Sequence, residues 1–179
     1  MEKIKVHDKA FVPYLSNEEI QGYVKALAEK IHQDYKGEKP VFVGVLNGVF
    51  MFFADLLKHY AGECEVAFLQ VSSYSGTQST GIVYKKMELT KEVEGRHIIL
   101  VEDIIDTGNT IESLFEYFQN TKNPKSVKVA SLLLKPEVYK KDFKIDYVGK
   151  EIPNKFVLGY GLDYDELGRN LPDLYQLAD

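Results

Sequence analysis

The apolar positions of the chain recur at two periods. Over residues 16–36, Ile20, Val24, Leu27, Ala28 and Ile31 repeat at helical spacing and define one stripe of an amphipathic helix. Ser16 followed by Glu19 has the spacing of a capping box, and Gly37 and Pro40 stop the helix. Residues 41–46, Val-Phe-Val-Gly-Val-Leu, are apolar without alternation, as in a short strand buried on both faces. A helix over 49–60 follows, with Phe52, Phe53, Leu56 and Leu57 apolar, and then a strand over 66–71. Residues 97–101 give another fully apolar strand. Residues 110–119 give a helix with Ile111, Leu114, Phe115 and Phe118 on one side. Further strands are predicted over 126–134, 146–149 and 156–160. Only residues 72–82, Ser-Ser-Tyr-Ser-Gly-Thr-Gln-Ser-Thr-Gly-Ile, break the rhythm; they can bury little and predict a mobile loop.

Strands alternating with helices predict an α/β fold, a parallel twisted sheet flanked by helices. In such sheets ligands bind beyond the carboxyl ends of the strands, so candidate chemistry belongs to the residues that follow each strand.

The 179 residues fit one domain, and 45% hydrophobic with 27% charged residues excludes wholesale disorder. Against 27 Asp and Glu stand 22 Lys and Arg, a net charge of −5. That balance argues against nucleic acid and acidic membrane as partners. An anionic ligand must therefore be held by a local device. Cys64 has no partner for an internal disulfide, and His7, His32, His59 and His97 lack zinc-ligand spacing. The N-terminus has no signal-peptide pattern, and no apolar run approaches the ~20 residues of a membrane span. The expectation is a soluble, cytoplasmic protein.

The most informative string is Val101-Glu102-Asp103-Ile104-Ile105-Asp106-Thr107-Gly108-Asn109-Thr110. It leaves a buried strand, passes three carboxylates, turns and enters a helix. Thr107, Gly108, Asn109 and Thr110 suit a phosphate cradle of backbone N–H groups, hydroxyls and a helix N-terminus, with no Lys or Arg required. Gly108 lets backbone come close where a side chain would not. Glu102 and Asp103 are spaced to bond two ribose hydroxyls or to face a metal ion. Taken singly, these acids are equally solvated loop charges, with Asp106 or Thr107 a simple helix cap.

Taken together, the string resembles the phosphoribosyl-pyrophosphate motif of the type I phosphoribosyltransferases, an acidic pair, two apolar residues and Asp-Thr-Gly-x-Thr. Within that family the chain is most similar to the hypoxanthine (hypoxanthine-guanine) members. The pattern also matches, in the same order, at Phe52-Phe53-Ala54-Asp55-Leu56-Leu57, Ser73-Tyr74 with Gln78-Ser79-Thr80-Gly81, residues 127–133, and residues 156–164. The match runs from about residue 10 to 173.

The resemblance implies a single phosphoribosyltransferase domain over 1–179, with a core at about 38–150 and a small hood from about 1–15 and 151–179. It implies a purine salvage transferase that joins hypoxanthine or guanine to 5-phosphoribosyl 1-pyrophosphate with Mg²⁺ as cofactor. Glu102 and Asp103 would bind the ribose hydroxyls, and Thr107, Gly108, Asn109 and Thr110 the 5′-phosphate. Asp106 would be the general base at purine N7. Lys135 would donate to O6, Phe156 would stack on the base, and backbone of Val157 and Asp163 would meet its remaining edge. Asp163 would also bind the metal, and Arg169 the pyrophosphate. Leu46, Asn47 and Gly48 stand at the family's pyrophosphate loop, with its non-proline cis peptide placed at Leu46–Asn47. Relatives usually carry Lys-Gly where this chain has Asn47-Gly48, so one positive charge is absent there. Ser73 and Tyr74 would belong to a lid that closes over the pyrophosphate. The family also implies a homodimer or homotetramer. Two alternatives stay open: a donor-sensing regulatory protein on the same fold, and a xanthine-preferring sibling enzyme.

Overall fold

A computed structural model of the protein describes residues 2–71, 89 and 91–178. The predicted loop at 72–82, with Ser73 and Tyr74, lies outside the described residues. In chain order the elements are β1 (Ile4–Val6), β2 (Lys9–Leu15), α1 (Asn17–Asp34), β3 (Val41–Leu46), α2 (Phe50–His59) and β4 (Glu65–Gln70). They continue as β5 (His97–Ile105), α3 (Asn109–Thr121), β6 (Ser126–Leu134), β7 (Tyr147–Glu151), β8 (Val157–Leu158) and β9 (Leu174–Leu177).

The capping box forms as the sequence predicts. The Ser16 hydroxyl accepts from the Glu19 N–H at 3.3 Å, and the Ser16 N–H donates to Glu19 Oε2 at 2.8 Å. Such a cap contributes about 1 kcal/mol. Below it α1 buries Ile20, Val24, Leu27, Ala28 and Ile31, and the chain turns away at Gly37 with φ 83°.

The larger sheet is parallel throughout, in the order β4-β3-β5-β6-β7. The period of two along each strand divides the core between its two faces. Phe42, Ile99 and Val101 pack with α1 and α2, while Val41, Val43, Ile98 and Leu100 pack beneath α3. From α3, Ile111, Leu114 and Phe118 are buried there, each contributing roughly 1.5–3 kcal/mol. A second, antiparallel sheet has the order β1-β2-β9-β8 and joins the two ends of the chain.

Several expectations change. The strand predicted over 97–101 runs on to Ile105, because Ile104 and Ile105 pair with Leu133 and Leu134 of β6. Glu102 and Asp103 therefore lie in the strand rather than beyond it. Among the described residues β4 is an edge strand, and its burial alternates, with Val66 and Phe68 exposed together with Phe50. The strand predicted over 156–160 is confined to Val157–Leu158, because Gly159, Tyr160 and Gly161 all have positive φ. No helix among the described residues is long and apolar enough to cross a membrane.

Candidate active site

Because β3, β5 and β6 are parallel, their carboxyl ends open on one edge of the sheet, and two adjoining cavities lie there. One of about 310 Å³ is lined by Leu46, Asn47, Gly48, Glu102, Asp103, Thr110, Asp163 and Arg169, with Val45 and Val71. The other, of about 180 Å³, follows the chain from Glu102 and Ile104 to Ile111 and includes Asp106, Thr107, Gly108, Asn109 and Thr110. Glu102 and Thr110 border both.

The central strand carries two adjacent carboxylates into this edge. Glu102 is buried, and that burial, reinforced by Asp103, pushes its carboxyl well above the usual range. Burial also pushes Asp103 up to about 6, with Asp163 adding to the effect. The backbone N–H groups of Ile104 and Asp103 and the Arg169 guanidinium oppose it; the Ile104 N–H donates to Asp103 Oδ1 at 2.7 Å. Like charges held close in low dielectric favour a cation or hydrogen-bond donors from a ligand.

The turn into α3 is built differently from the start of α1. Gly108 is the N-cap, with φ 83° and no side-chain cap. Neither Asp106 nor Thr107 caps the helix. A Cβ at Gly108 would stand 2.4 Å from Tyr139 Cε2, so the turn lies against that ring as well as bordering the smaller cavity. α2 likewise begins directly after residues 46–48 without a side-chain cap, and the Leu46–Asn47 peptide bond is cis.

Two ion pairs organise the rest. Lys135, only 7% exposed, follows β6, and its Nζ lies 2.7 Å from Asp106 Oδ1. The Lys135 N–H donates to the Ile105 carbonyl at 3.0 Å, which brings the residues after β5 and β6 side by side. Across the larger cavity, Arg169 Nη2 lies 3.0 Å from Asp163 Oδ1, and Nη1 donates to the Gly161 carbonyl at 3.1 Å. Lys135, Phe156 and Val157 line neither cavity. Phe156 is 43% exposed, with its ring 6.1 Å from that of Phe11 and 5.8 Å from that of Tyr164, while Val157 is buried.

Residues 14–165 match the model of the phosphoribosyl transferase domain. The chain belongs to the phosphoribosyl transferase family. It is 47% identical over 159 residues to the hypoxanthine-guanine phosphoribosyltransferase of Bacillus subtilis (strain 168), covering 88% of each chain. To that of Aquifex aeolicus (strain VF5) it is 42% identical over 177 residues, covering 98% of this chain and 99% of the relative. Among solved structures, a hypoxanthine phosphoribosyltransferase from Staphylococcus aureus superposes with a TM-score of 0.87 at 41% identity, over 93% of this chain and 91% of that one. The five-stranded parallel sheet is thus the type I phosphoribosyltransferase fold.

Sequence reasoning missed Tyr139 behind Gly108, Val45 and Val71 in the cavity wall, and the pairing of Arg169 with Asp163. Tyr139 lay beyond reach because it meets Gly108 only in the folded chain.

Proposed function

We propose that the chain is a cytoplasmic purine salvage enzyme transferring the 5-phosphoribosyl group from 5-phosphoribosyl 1-pyrophosphate to hypoxanthine or guanine. The bond from purine N9 to ribose C1′ forms as the bond from C1′ to the pyrophosphate oxygen breaks, and the N7 proton passes to Asp106. The observation that carries this reading is the 2.7 Å pair of Lys135 with Asp106. O6 and N7 share one edge of a 6-oxopurine, an acceptor beside the atom that must lose a proton. An ammonium donor and a carboxylate side by side match that edge. Adenine would present its own donor to Lys135, which cannot accept.

Thr107, Gly108, Asn109 and Thr110 hold the 5′-phosphate at the start of α3, and Glu102 and Asp103 hold the ribose hydroxyls. Leu46, Asn47, Gly48 and Arg169 hold the pyrophosphate. Phe156 stacks on the purine, whose remaining edge meets backbone of Val157 and Asp163. One phosphoribosyltransferase domain, with its core at about 38–150 and its hood from the two chain ends, agrees with the two separate sheets.

Among the described residues no three His, Cys, Asp or Glu side chains are grouped to hold a metal by themselves. The carboxylate-lined cavity nevertheless fits Mg²⁺, which takes one or two protein carboxylates and completes its shell with substrate oxygens and water. Asp163 is the proposed ligand. Bound there, Mg²⁺ supplies neutralisation of the leaving pyrophosphate. The exposed side chains of Phe50, Val66 and Phe68 support assembly as a homodimer or homotetramer, which light scattering tests.

Ultraviolet-monitored turnover with the donor, Mg²⁺ and each of hypoxanthine, guanine, xanthine and adenine tests the reading. Hypoxanthine or guanine should turn over, chelation of Mg²⁺ should abolish it, and Asp106→Asn should lower kcat about 10²–10⁴-fold. Preference for xanthine would replace the substrate assignment. Donor binding without turnover of any base would make the protein a donor sensor.

A further inference from the structure

Three consecutive residues between β8 and Asp163 have left-handed backbone: Gly159 at φ 101°, Tyr160 at φ 48° and Gly161 at φ 100°. Such a conformation is costly for a residue with a bulky side chain and persists only where its surroundings hold it. Tyr160 is held firmly. Its side chain is 1% exposed, and its hydroxyl donates to Asp55 Oδ2 of α2 at 2.6 Å. Gln21 Nε2 of α1 donates to the same oxygen at 2.7 Å and to the Tyr160 hydroxyl at 3.2 Å. Lys58 Nζ holds the other oxygen of Asp55 at 2.8 Å. One carboxylate thus joins both helices to this loop, and none of Gln21, Asp55 and Tyr160 lines the two cavities.

The adjacent residue transmits that position. A Cβ at Gly161 would stand 2.0 Å from the Gly48 carbonyl oxygen, and one at Gly48 would stand 1.7 Å from Asp103 Oδ2. Gly161, Gly48 and Asp103 therefore form a stack with no room to spare, with Asp163 two residues further on. We infer that Tyr160, anchored by Asp55 and Gln21, is a positioning residue for the donor half of the site. It sets the distance from Gly161 to Gly48, and through it the alignment of the 46–48 turn with Asp103 and Asp163. Its hydroxyl stays in the core and touches no substrate.

The inference rests on the proposed transferase reaction, and two readouts keep the failures separate. Calorimetry with magnesium pyrophosphate tests the inference without turnover, whereas wild-type turnover of hypoxanthine tests the reaction. Tyr160→Phe, which removes only the hydroxyl, should weaken magnesium pyrophosphate binding and raise the donor KM by about 5-fold, the worth of one hydrogen bond. The hypoxanthine KM should stay within about 2-fold. Asp55→Asn, which can still accept from Tyr160, should behave as wild type, and Asp55→Leu should reproduce Tyr160→Phe. Val24→Ala, a core truncation on α1, should lower Tm without separating the two KM values. Unchanged pyrophosphate binding in Tyr160→Phe overturns the inference. So does an equal loss in Asp55→Asn and Asp55→Leu, or a donor-specific loss in Val24→Ala.

Discussion

Gly48→Ala is the most direct probe of the site's geometry. Gly48 has no positive φ, so its backbone admits alanine and the perturbation is purely steric. The added methyl would lie 1.7 Å from Asp103 Oδ2 and 2.9 Å from its Cγ. Non-bonded carbon and oxygen stay about 3.3 Å apart, so the carboxylate or the turn must yield by roughly 1.5 Å. Asp103 resists because its other oxygen accepts from the Ile104 N–H at 2.7 Å. The turn resists because the Gly48 carbonyl is already against Gly161. A misplacement of about 1 Å at a reacting centre costs ~10²-fold in rate. We therefore expect kcat/KM for hypoxanthine and donor to fall about 10²-fold at saturating Mg²⁺, equivalent to ~2.7 kcal/mol. Steady-state kinetics with a parallel melting curve measures this. A value within about 3-fold of wild type would refute the reasoning, since it would show slack where the structure has none.

Other changes test other parts of the molecule. Asp103→Asn should raise Tm at pH 7.5 while abolishing donor binding. The folded carboxyl titrates near 6 against an ordinary 3.8, so its charge lowers stability above that range and the penalty disappears as pH falls through it. The advantage of the variant should therefore shrink towards pH 4; a gap independent of pH would contradict the assignment. Lys135→Met should lower kcat/KM for hypoxanthine about 10–10²-fold, the worth of a charged hydrogen bond, and unchanged kinetics would remove Lys135 from purine recognition. Ser16→Ala should cost about 1 kcal/mol in denaturant unfolding and leave both KM values unchanged, since the cap lies on α1 away from the cavities.

What the sequence made legible was what short stretches decide by themselves. The Ser16–Glu19 cap, the apolar stripe of α1 and the uninterrupted apolar run of β3 all depend on neighbours within a few residues. Periodicity ends β5 at Val101, where the first charge follows, whereas pairing with β6 carries the strand past two carboxylates. β2 and β9 were invisible for a related reason. Both are mixed in polarity, and what joins them into one sheet is a pairing across some 160 residues, as of Phe11 with Leu177. In the site, the string from Glu102 to Thr110 could be read as a unit, but its meeting with Lys135 depends on β5 lying beside β6. The left-handed Tyr160 carries no local signal beyond its flanking glycines. It is held by side-chain contacts with Asp55 and Gln21 and by backbone hydrogen bonding to Leu171 that only the fold creates.

The contrast between the first turns of α1 and α3 has a dynamic consequence. α1 carries its own cap in Ser16 and Glu19, whereas α3 starts from Gly108 with no side chain to close it. The proposed phosphate would be to α3 what Ser16 is to α1, a cap contributed by substrate rather than by sequence. The opening turn of α3 would then fray more readily in the empty enzyme, and its amide protons would exchange faster than those at the start of α1. Amide exchange at Glu112 and its neighbours would accordingly register occupancy of the nucleotide site, with the helix serving as a built-in reporter.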